Sequence, residues 1–200
     1  MDRKVVTCKW VFKPKINENG TIQHFKAHLV ARGFTQVYGL DYWDTFASVA
    51  KLVSLRILLA IAAFEDLEIH QMDVVLAFLA GNIDGDVYME QPEGFVHGDT
   101  SQVCKLYRSL YGLKQAPRIW NERINSFLYS IGFTQLGSDP CVYADDTGII
   151  IALWVDDLFI FGGDIHAIKA LKRILHDEFE MKDLCELQFF LRIRVTHDQA

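Results

Sequence analysis

The sequence predicts an α+β fold in which helices lie on one face of an antiparallel sheet. Three observations predict this class. Short segments rich in Val, Ile and Phe are bounded by Gly, Asn and Asp, a pattern typical of strands. Apolar residues recur at helical spacing in three other segments. These segments follow one another as hairpin, helix, strand, strand, helix, hairpin, helix and strand.

The first third of the chain predicts a hairpin, a helix and a strand. Residues 4–13 and 21–30 are strand-like and flank residues 17–20, whose Asn-Gly pair is a strong turn signal. Apolar residues at helical spacing predict a helix over residues 52–64. Residues 67–74 then predict a strand that ends beside an acidic residue.

The middle of the chain predicts a loop, an extended segment and a helix. Residues 81–98 contain several glycines and a proline, so we expect a loop there. Residues 103–112 are predicted to be extended. A helix is predicted over residues 117–131, because Pro117 is favoured at the first helical position and apolar residues follow on one side.

The last part of the chain predicts a hairpin, a helix and a strand. Apolar runs on both sides of Asp156-Asp157 predict a hairpin over residues 148–161 with both acids at its tip. Asp164 is the predicted N-cap of a helix over residues 165–179. A final strand is predicted over residues 187–195.

Composition limits the class of protein. The chain has 200 residues and half of them are hydrophobic, which suits one globular domain and excludes a disordered tail. Its four cysteines form no CxxC pair, so neither a zinc site nor a disulfide framework is indicated. No apolar run reaches the roughly 18 residues of a membrane span, and the start lacks a signal-peptide core. We therefore expect an intracellular protein without a membrane partner.

The charge of the chain is mostly acidic. Its formal net charge of −6 argues against a polyanionic partner, although phosphate binding needs only a local basic strip. Lys169, Lys172 and Arg173 form a basic group on the polar side of the last predicted helix. Most such helix faces are solvated, and a solvated face is the prediction for this one.

Three carboxylates stand out as candidates for chemistry. Asp156 and Asp157 are costly to bury between apolar strands, and Asp73 ends another strand. If the two strands lie side by side, all three acids meet at one sheet edge, where they could hold two Mg²⁺ ions. From the carboxylates alone, an ordinary turn and a helix-capping aspartate remain the simpler interpretation.

Six segments together resemble one family, the copia-type reverse transcriptase of LTR retrotransposons. They match it in order and spacing and cover nearly the whole chain. The segments are 25–46, 69–79 (IHQMDVVLAFL), 87–95 (VYMEQPEGF), 109–120 (SLYGLKQAPRIW), 153–160 (LWVDDLFI) and 179–184 (FEMKDL).

The resemblance implies the right-hand polymerase palm, an antiparallel sheet with helices on one face, plus a partial fingers hairpin. Residues 1–200 would form a single reverse-transcriptase domain. Within it, residues 1–50 would be partial fingers and residues 51–184 the palm with a fingers insertion. Residues 185–200 would begin the primer grip and the connection to the thumb.

The resemblance also implies RNA- or DNA-templated DNA synthesis by two-metal nucleotidyl transfer. Asp73, Asp156 and Asp157 would be the catalytic metal-binding triad, and the backbone carbonyl of Val74 would be a further ligand. The cofactor would be two Mg²⁺ ions, with Mn²⁺ as the alternative ion.

Further positions match the family's nucleotide and primer contacts. Lys26 and Arg32 would contact the triphosphate, Phe78 would exclude a 2′-hydroxyl, and four residues would form the floor under the template and nucleotide. That floor comprises Tyr111, Gly112, Lys114 and Gln115, and the primer grip comprises Phe190, Leu191 and Arg192. Structural alternatives remain for these positions. Lys26 and Arg32 would lie on a solvated strand face, Phe78 would be a core aromatic, and Gly112 would be a turn glycine.

Several positions depart from the family pattern. Ala47-Ser48 replaces Ser-Pro, and Val75-Leu76 replaces a Lys-Thr pair. His28 replaces an arginine, Trp154 replaces a tyrosine, and Cys185 and Arg192 replace glycines. The chain also matches no complete thumb or RNase H domain, so a truncated copy is expected. The alternative function is therefore a non-catalytic decayed fragment that at most binds nucleic acid weakly.

The expected partners follow from the same resemblance. They are an RNA or DNA template with a DNA primer, deoxynucleoside triphosphates, and the RNase H and integrase regions of the full polyprotein. The expected location is the cytoplasm, in virus-like particles, and the nucleus.

Overall fold

Residues 5–16, 21–190 and 193–196 are described by a computed structural model. The chain forms two units, one of Met1–Ala47 with Phe78–Asn121 and the other of Ser48–Ala77 with Glu122–Ala200. Every pairing between the strands of the described ranges is antiparallel. This confirms a mixed helix and strand fold with antiparallel sheets, whereas the palm-and-fingers arrangement stays a prediction.

The first unit contains two small sheets. Strands β1 (Cys8–Ile16) and β2 (Ile22–Ala31) form the predicted amino-terminal hairpin. Its predicted turn at residues 17–20 lies outside the described residues. The second sheet pairs β4 (Asn82–Glu90) with β5 (Val103–Arg108).

The prediction of a loop over residues 81–98 was wrong for β4. Gly85 lies in the left-handed region at φ +92°, and the strand register shifts between Asn82 and Val87. This irregularity hides the alternation of buried residues from the sequence pattern. Beyond it, Val87 and Met89 point into the core at strand spacing.

The core of the first unit joins both of its sheets. Phe78 and Leu29 pack against the edge of this core. Its buried members come from the amino-terminal segment and from the region around β4 and α2, namely Val6, Cys8, Ala31, Val87, Met89, Leu113 and Ala116.

The second unit is built on a six-stranded sheet. Its strands are β3 (Glu68–Val74), β6 (Thr134–Leu136), β7 (Asp139–Ala144), β8 (Ile150–Trp154), β9 (Asp157–Gly162) and β10 (Met181–Glu186). Their spatial order is β10-β3-β9-β8-β7-β6, so β3 and β9 are neighbours in the middle of the sheet. Strands β6, β7 and β10 were not predicted from the sequence.

The three helices agree with the sequence prediction. They are α1 (Leu52–Glu65), α2 (Ala116–Ser130) and α3 (Ile165–Glu178). The carboxylate of Asp164 accepts a hydrogen bond from the His166 N–H at 2.8 Å, which confirms the predicted cap of α3. Both α1 and α3 contact β9. Among the helices of the described ranges, none combines the length and apolarity needed to cross a membrane.

The prediction of one strand over residues 187–195 was wrong. Two short strands, β11 (Phe189–Phe190) and β12 (Ile193–Arg194), pair with each other there. The preceding segment forms β10 and takes the edge of the large sheet beside β3 instead. Leu191 and Arg192 of the predicted primer grip lie outside the described residues.

Candidate functional site

The register of β3 and β9 brings the predicted acids together in the second unit. Asp73 lies directly opposite Asp157 across the two strands. Asp156 immediately precedes β9, and its backbone carbonyl accepts a hydrogen bond from the Val74 N–H at 2.9 Å. The three carboxylates therefore lie at one end of two neighbouring strands, where the resemblance places them.

A tight turn positions Asp156. Trp154 of β8 pairs with Asp157 of β9, so only Val155 and Asp156 connect the two strands. Val155 has φ +57°, in the left-handed region that two-residue hairpin turns use and that a β-branched residue rarely adopts. Of the two acids only Asp156 lies in the turn, because Asp157 is already the first residue of β9, so the prediction of both acids at the tip was wrong for Asp157.

Asp156 has one buried carboxylate oxygen that is not satisfied. Among the described residues, its Oδ1 atom has no hydrogen-bond partner. Burial raises the pKa of Asp156 to about 6, and the negative charges of Asp73 and Asp157 add to this effect. The ionised form is therefore costly in the fold as it stands, which leaves a place for a positive charge.

Asp157 is held by a neighbouring amide. Burial raises the pKa of Asp157, a hydrogen bond from Gln71 opposes the rise, and the charge of Asp73 adds to it. That hydrogen bond runs from Gln71 Nε2 to Asp157 Oδ1 at 2.9 Å. Gln71 was missed in the sequence, although it precedes Asp73 by two residues and so lies on the same face of β3.

A lysine also lies beside the acids. Lys182 of β10 is directly opposite Asp73 of β3, and residues opposite each other in antiparallel strands share a face. Its side chain is exposed. This neighbour was not predictable from the sequence, because β10 was not predicted as a strand.

The three acids offer the oxygen donors that a hard divalent cation prefers, but among the described residues they do not form a ready metal-binding cluster. Mg²⁺ prefers carboxylate and carbonyl oxygens and uses one or two carboxylates together with water and substrate oxygens. The buried, unpartnered oxygen of Asp156 and the mutual repulsion of the three acids agree with this chemistry. Within residues 5–16, 21–190 and 193–196, no three or more His, Cys, Asp or Glu side chains form a ready metal-binding cluster.

The two predicted triphosphate contacts lie in the first unit. Lys26 is half-buried on β2, opposite Lys13 of β1. Arg32 follows the end of β2 and is exposed. It lines a groove of about 900 Å³ together with Trp10 and Phe95, whose ring centroids are 5.5 Å apart. Lys26 is not part of that lining.

Close packing of the chain on itself accounts for Gly112. The Ala31 N–H donates to the Tyr111 carbonyl at 2.7 Å, and the Gly33 N–H donates to the Gly112 carbonyl at 3.1 Å. A β-carbon at Gly112 would lie 2.0 Å from the Ala31 carbonyl oxygen, and φ is +90° there. Only glycine fits this position.

Lys114 and Gln115 make hydrogen bonds inside the same unit. Gln115 is buried, donates to the Asp41 carbonyl at 3.0 Å and accepts from Gln36 Nε2 at 3.0 Å. The Lys114 ammonium donates to the Tyr42 hydroxyl at 3.0 Å and also lies over the Tyr42 ring. Gln115 therefore supports this loop, and Lys114 is exposed at its surface.

Aromatic contacts surround the remaining predicted residues. Phe78 and Tyr111 meet edge to face with ring centroids 4.9 Å apart, and Tyr111 meets His28 in the same way at 5.7 Å. In the second unit, Phe190 of the predicted primer grip is buried and packs edge to face on Phe159 at 5.1 Å.

The chain is similar to known proteins over nearly its whole length. A family model described as reverse transcriptase (RNA-dependent DNA polymerase) matches residues 1–200. The chain belongs to this family. The resemblance to copia-type reverse transcriptases is thereby confirmed, whereas the roles of the acids at the end of β3 and β9 stay a prediction.

Relatives of this chain are proteins of transposons, and two of them are polyproteins. The chain is 44% identical, over 99% of its length, to a retrovirus-related Pol polyprotein from transposon TNT 1-94 of Nicotiana tabacum. It is 42% identical, over 94% of its length, to the corresponding polyprotein from transposon RE1 of Arabidopsis thaliana. A putative transposon Ty5-1 protein of Saccharomyces cerevisiae is 38% identical over 62% of the chain and 42% of that relative. The chain spans 15% and 13% of the length of the two plant relatives.

Proposed function

We propose that this chain carries a metal-dependent nucleotidyl-transfer centre, which extends a DNA primer on an RNA or DNA template. The observation that carries the proposal is the buried, unpartnered Oδ1 of Asp156 beside Asp73 and Asp157. A reverse-transcriptase fold that leaves such an oxygen at a strand end supports a cation site there.

The three acids take different roles in this proposal. Asp73 and Asp156 would hold two Mg²⁺ ions, or Mn²⁺ as the alternative, with the Val74 carbonyl as a further ligand. Asp157 would contribute negative charge and position, because Gln71 already binds one of its oxygens. Bound there, the ions would lower the pKa of the primer 3′-hydroxyl and stabilise charge on the departing pyrophosphate.

The proton on Asp156 sets the pH range of the proposed site. Cation binding needs the ionised carboxylate, and the pKa of Asp156 is raised to about 6 by burial and by the neighbouring acids. Asp156 is then mostly ionised at pH 7.5 and mostly protonated at pH 5. Polymerisation would fall as the pH drops through about 6.

The substrate contacts are proposed on residues of the first unit and the carboxyl-terminal hairpin. Deoxynucleoside triphosphates would meet basic side chains, and the aromatic ring of Phe78 would exclude a ribose 2′-hydroxyl. The contacts would be Lys26 and Arg32 for the triphosphate, Tyr111, Gly112, Lys114 and Gln115 for the template and nucleotide, and Phe190, Leu191 and Arg192 for the primer. The RNase H and integrase regions of the same polyprotein would be further partners, in cytoplasmic particles and in the nucleus.

Primer extension on poly(rA)/oligo(dT) with dTTP and Mg²⁺ tests the proposal. We expect extension by the wild type and a loss of about a hundredfold or more in Asp156→Asn. The matched control is Asp146→Asn, which changes an exposed aspartate of the same unit and should leave the rate unchanged. Absence of extension by folded wild-type protein would contradict catalysis.

A second candidate function is a non-catalytic remnant that binds nucleic acid weakly. One observation favours it. His28 replaces the arginine of the family pattern, and its ring packs against Tyr111. An imidazole there lacks the permanent charge and the five N–H donors that a guanidinium offers to a triphosphate. Binding of primer-template without extension would select this candidate.

A further inference from the structure

A small pocket in the second unit is lined mainly by basic side chains of α3. Its volume is about 260 Å³. The lining residues are Met72, Lys169, Lys172, Arg173, His176 and Asp183. All four α3 residues are capable of positive charge, and they recur at the helical spacing i, i+3, i+4 and i+7 that places them on one side of the helix.

This pocket lies on the other face of the sheet from the three acids. Met72 precedes Asp73 by one residue, and successive side chains of a strand point to opposite faces. Asp183 is the register partner of Met72, just as Lys182 is the partner of Asp73. The pocket is therefore separate from the proposed nucleotidyl-transfer centre.

Lys172 forms the buried part of the pocket. Its side chain is only 8% exposed, which is costly for a cation unless its donors are satisfied. The ammonium contacts His70 Nδ1 at 2.7 Å and Asp183 Oδ1 at 2.6 Å. Because an ammonium has three donors, one N–H remains available on a residue that lines the pocket.

The two partners of Lys172 are an imidazole and a carboxylate. Burial lowers the pKa of His70 and the charge of Lys172 lowers it further, while Glu68, Asp183 and Glu186 act in the opposite direction. Because an ammonium only donates, His70 Nδ1 is the acceptor of its hydrogen bond. Asp183 is the one acid in the lining, and its other hydrogen bond comes from the Cys185 N–H at 2.9 Å. One carboxylate therefore faces several cations.

The other cations of the pocket are not neutralised within the described residues. Lys169 and Arg173 are exposed, and neither forms a hydrogen bond or ion pair there. The chain has a net charge of −6, so this basic pocket is a positively charged region on an acidic protein. The sequence prediction of a solvated face holds for Lys169 and Arg173 and was wrong for Lys172.

We propose that this pocket binds a phosphate group. A phosphate oxygen would accept the remaining Lys172 N–H, and Arg173 and Lys169 would supply charge-assisted hydrogen bonds from the rim. The volume of the pocket suits one phosphate group with some water. The group could belong to free inorganic phosphate or to the backbone of a nucleic acid, since both present the same oxygens. The inference does not depend on polymerase activity.

Binding measurements on the full chain test this inference. The probes are inorganic phosphate, followed by calorimetry, and labelled oligo(dT), followed by fluorescence anisotropy, both with EDTA so that the acidic site stays without metal. The test variant is Arg173→Gln. Its matched control is Arg56→Gln, because Arg56 is an exposed arginine on α1 of the same unit that makes no hydrogen bond or ion pair among the described residues.

We expect Arg173→Gln to weaken binding of at least one probe about tenfold and Arg56→Gln to weaken it less than about twofold. An effect on inorganic phosphate identifies free phosphate as a ligand, and an effect on oligo(dT) alone identifies a nucleic-acid backbone. Failure of the wild type to bind either probe, or equal effects of the two variants, would overturn the inference. Both arginines are exposed, so thermal melting should show both variants folded.

Discussion

Asp156 is the residue at which the stability of the fold and the proposed chemistry conflict. Its buried Oδ1 has no hydrogen-bond partner, and burial with two acidic neighbours raises its pKa to about 6. Between about pH 4 and pH 6, Asp156 is protonated in the folded state, whereas it is ionised in the unfolded chain, where its pKa is the ordinary 3.8. The contribution of protonated Asp156 to the free energy of unfolding is therefore lost as the pH rises from about 4 through 6.

We expect Asp156→Asn to stabilise the metal-free protein at neutral pH. An amide removes the ionised form. The raised pKa corresponds to about 3 kcal/mol at pH 7.5, and because Asp156 is only half-buried, solvent screening reduces the expected gain in the free energy of unfolding to about 2 kcal/mol, with almost nothing at pH 4. Urea unfolding in EDTA at the two pH values measures the difference. Because the variant should also lose polymerase activity, stability and function would change in opposite directions.

The control for this prediction is Asp146→Asn, at an exposed position in the same unit. Its stability relative to the wild type should not change between pH 4 and 7.5. If Asp156→Asn behaved like this control, the buried charge would not carry the energetic cost assigned to it.

At the residue scale, the three acids were predictable from the sequence, but the side chains beside them were not. Asp73, Asp156 and Asp157 matched family motifs, and the register of β3 and β9 brings them together. Gln71 and Lys182 were missed, because their roles depend on which residues lie opposite each other in the sheet. A pattern of residue types along one chain does not contain that register.

At the scale of elements, the β8–β9 hairpin concentrates strain beside the acids. Val155 has φ +57°, where a β-branched side chain clashes with its own backbone. Strained residues cluster at functional sites because the surrounding structure holds them in place. The two-residue turn is what presents Asp156 at the end of the sheet.

We expect Val155→Gly to stabilise the fold by about 0.5–1 kcal/mol. Glycine avoids the cost of about 1–2 kcal/mol that a side chain meets in the left-handed region. Part of this gain is lost, because glycine also gives the unfolded chain more conformational entropy. Val155 is 40% exposed, so little packing is lost. Thermal unfolding followed by circular dichroism measures the change.

Val103→Gly is the matched comparison, because Val103 is 42% exposed in β5 and does not have a positive φ. That variant should lose about 1 kcal/mol, as glycine does in a strand. Destabilisation of similar size at both positions would show that the turn is not strained.

Strands β4, β6 and β10 were not predicted because their apolar residues form no regular pattern. The three helices were predicted because their apolar residues repeat over several turns. Strands β6 and β10 give no such signal, since β6 has three residues and β10 is exposed after Met181. A bulge at Gly85 interrupts the alternation in β4. Only the tertiary pairing of these segments reveals them as strands.

At the scale of the whole molecule, the chain is a reverse-transcriptase domain with two differently charged faces on one sheet. The acids lie on one side of the β3–β10 pair, and the basic pocket beside α3 lies on the other. The sequence predicted the fold class and the family, since these depend on element order and on motifs. It did not predict the basic pocket, because burial of Lys172 follows from the packing of α3 against β10.

Mn²⁺ binding to the full chain at pH 7.5, followed by electron paramagnetic resonance, tests the central claim most directly, because it detects the cation without requiring substrate or turnover. The wild type should bind Mn²⁺, and Mg²⁺ should compete with it. Asp156→Asn should bind at least about tenfold more weakly, while Asp146→Asn should match the wild type. Equal Mn²⁺ affinity in the wild type and Asp156→Asn would contradict a cation site formed by Asp73, Asp156 and Asp157.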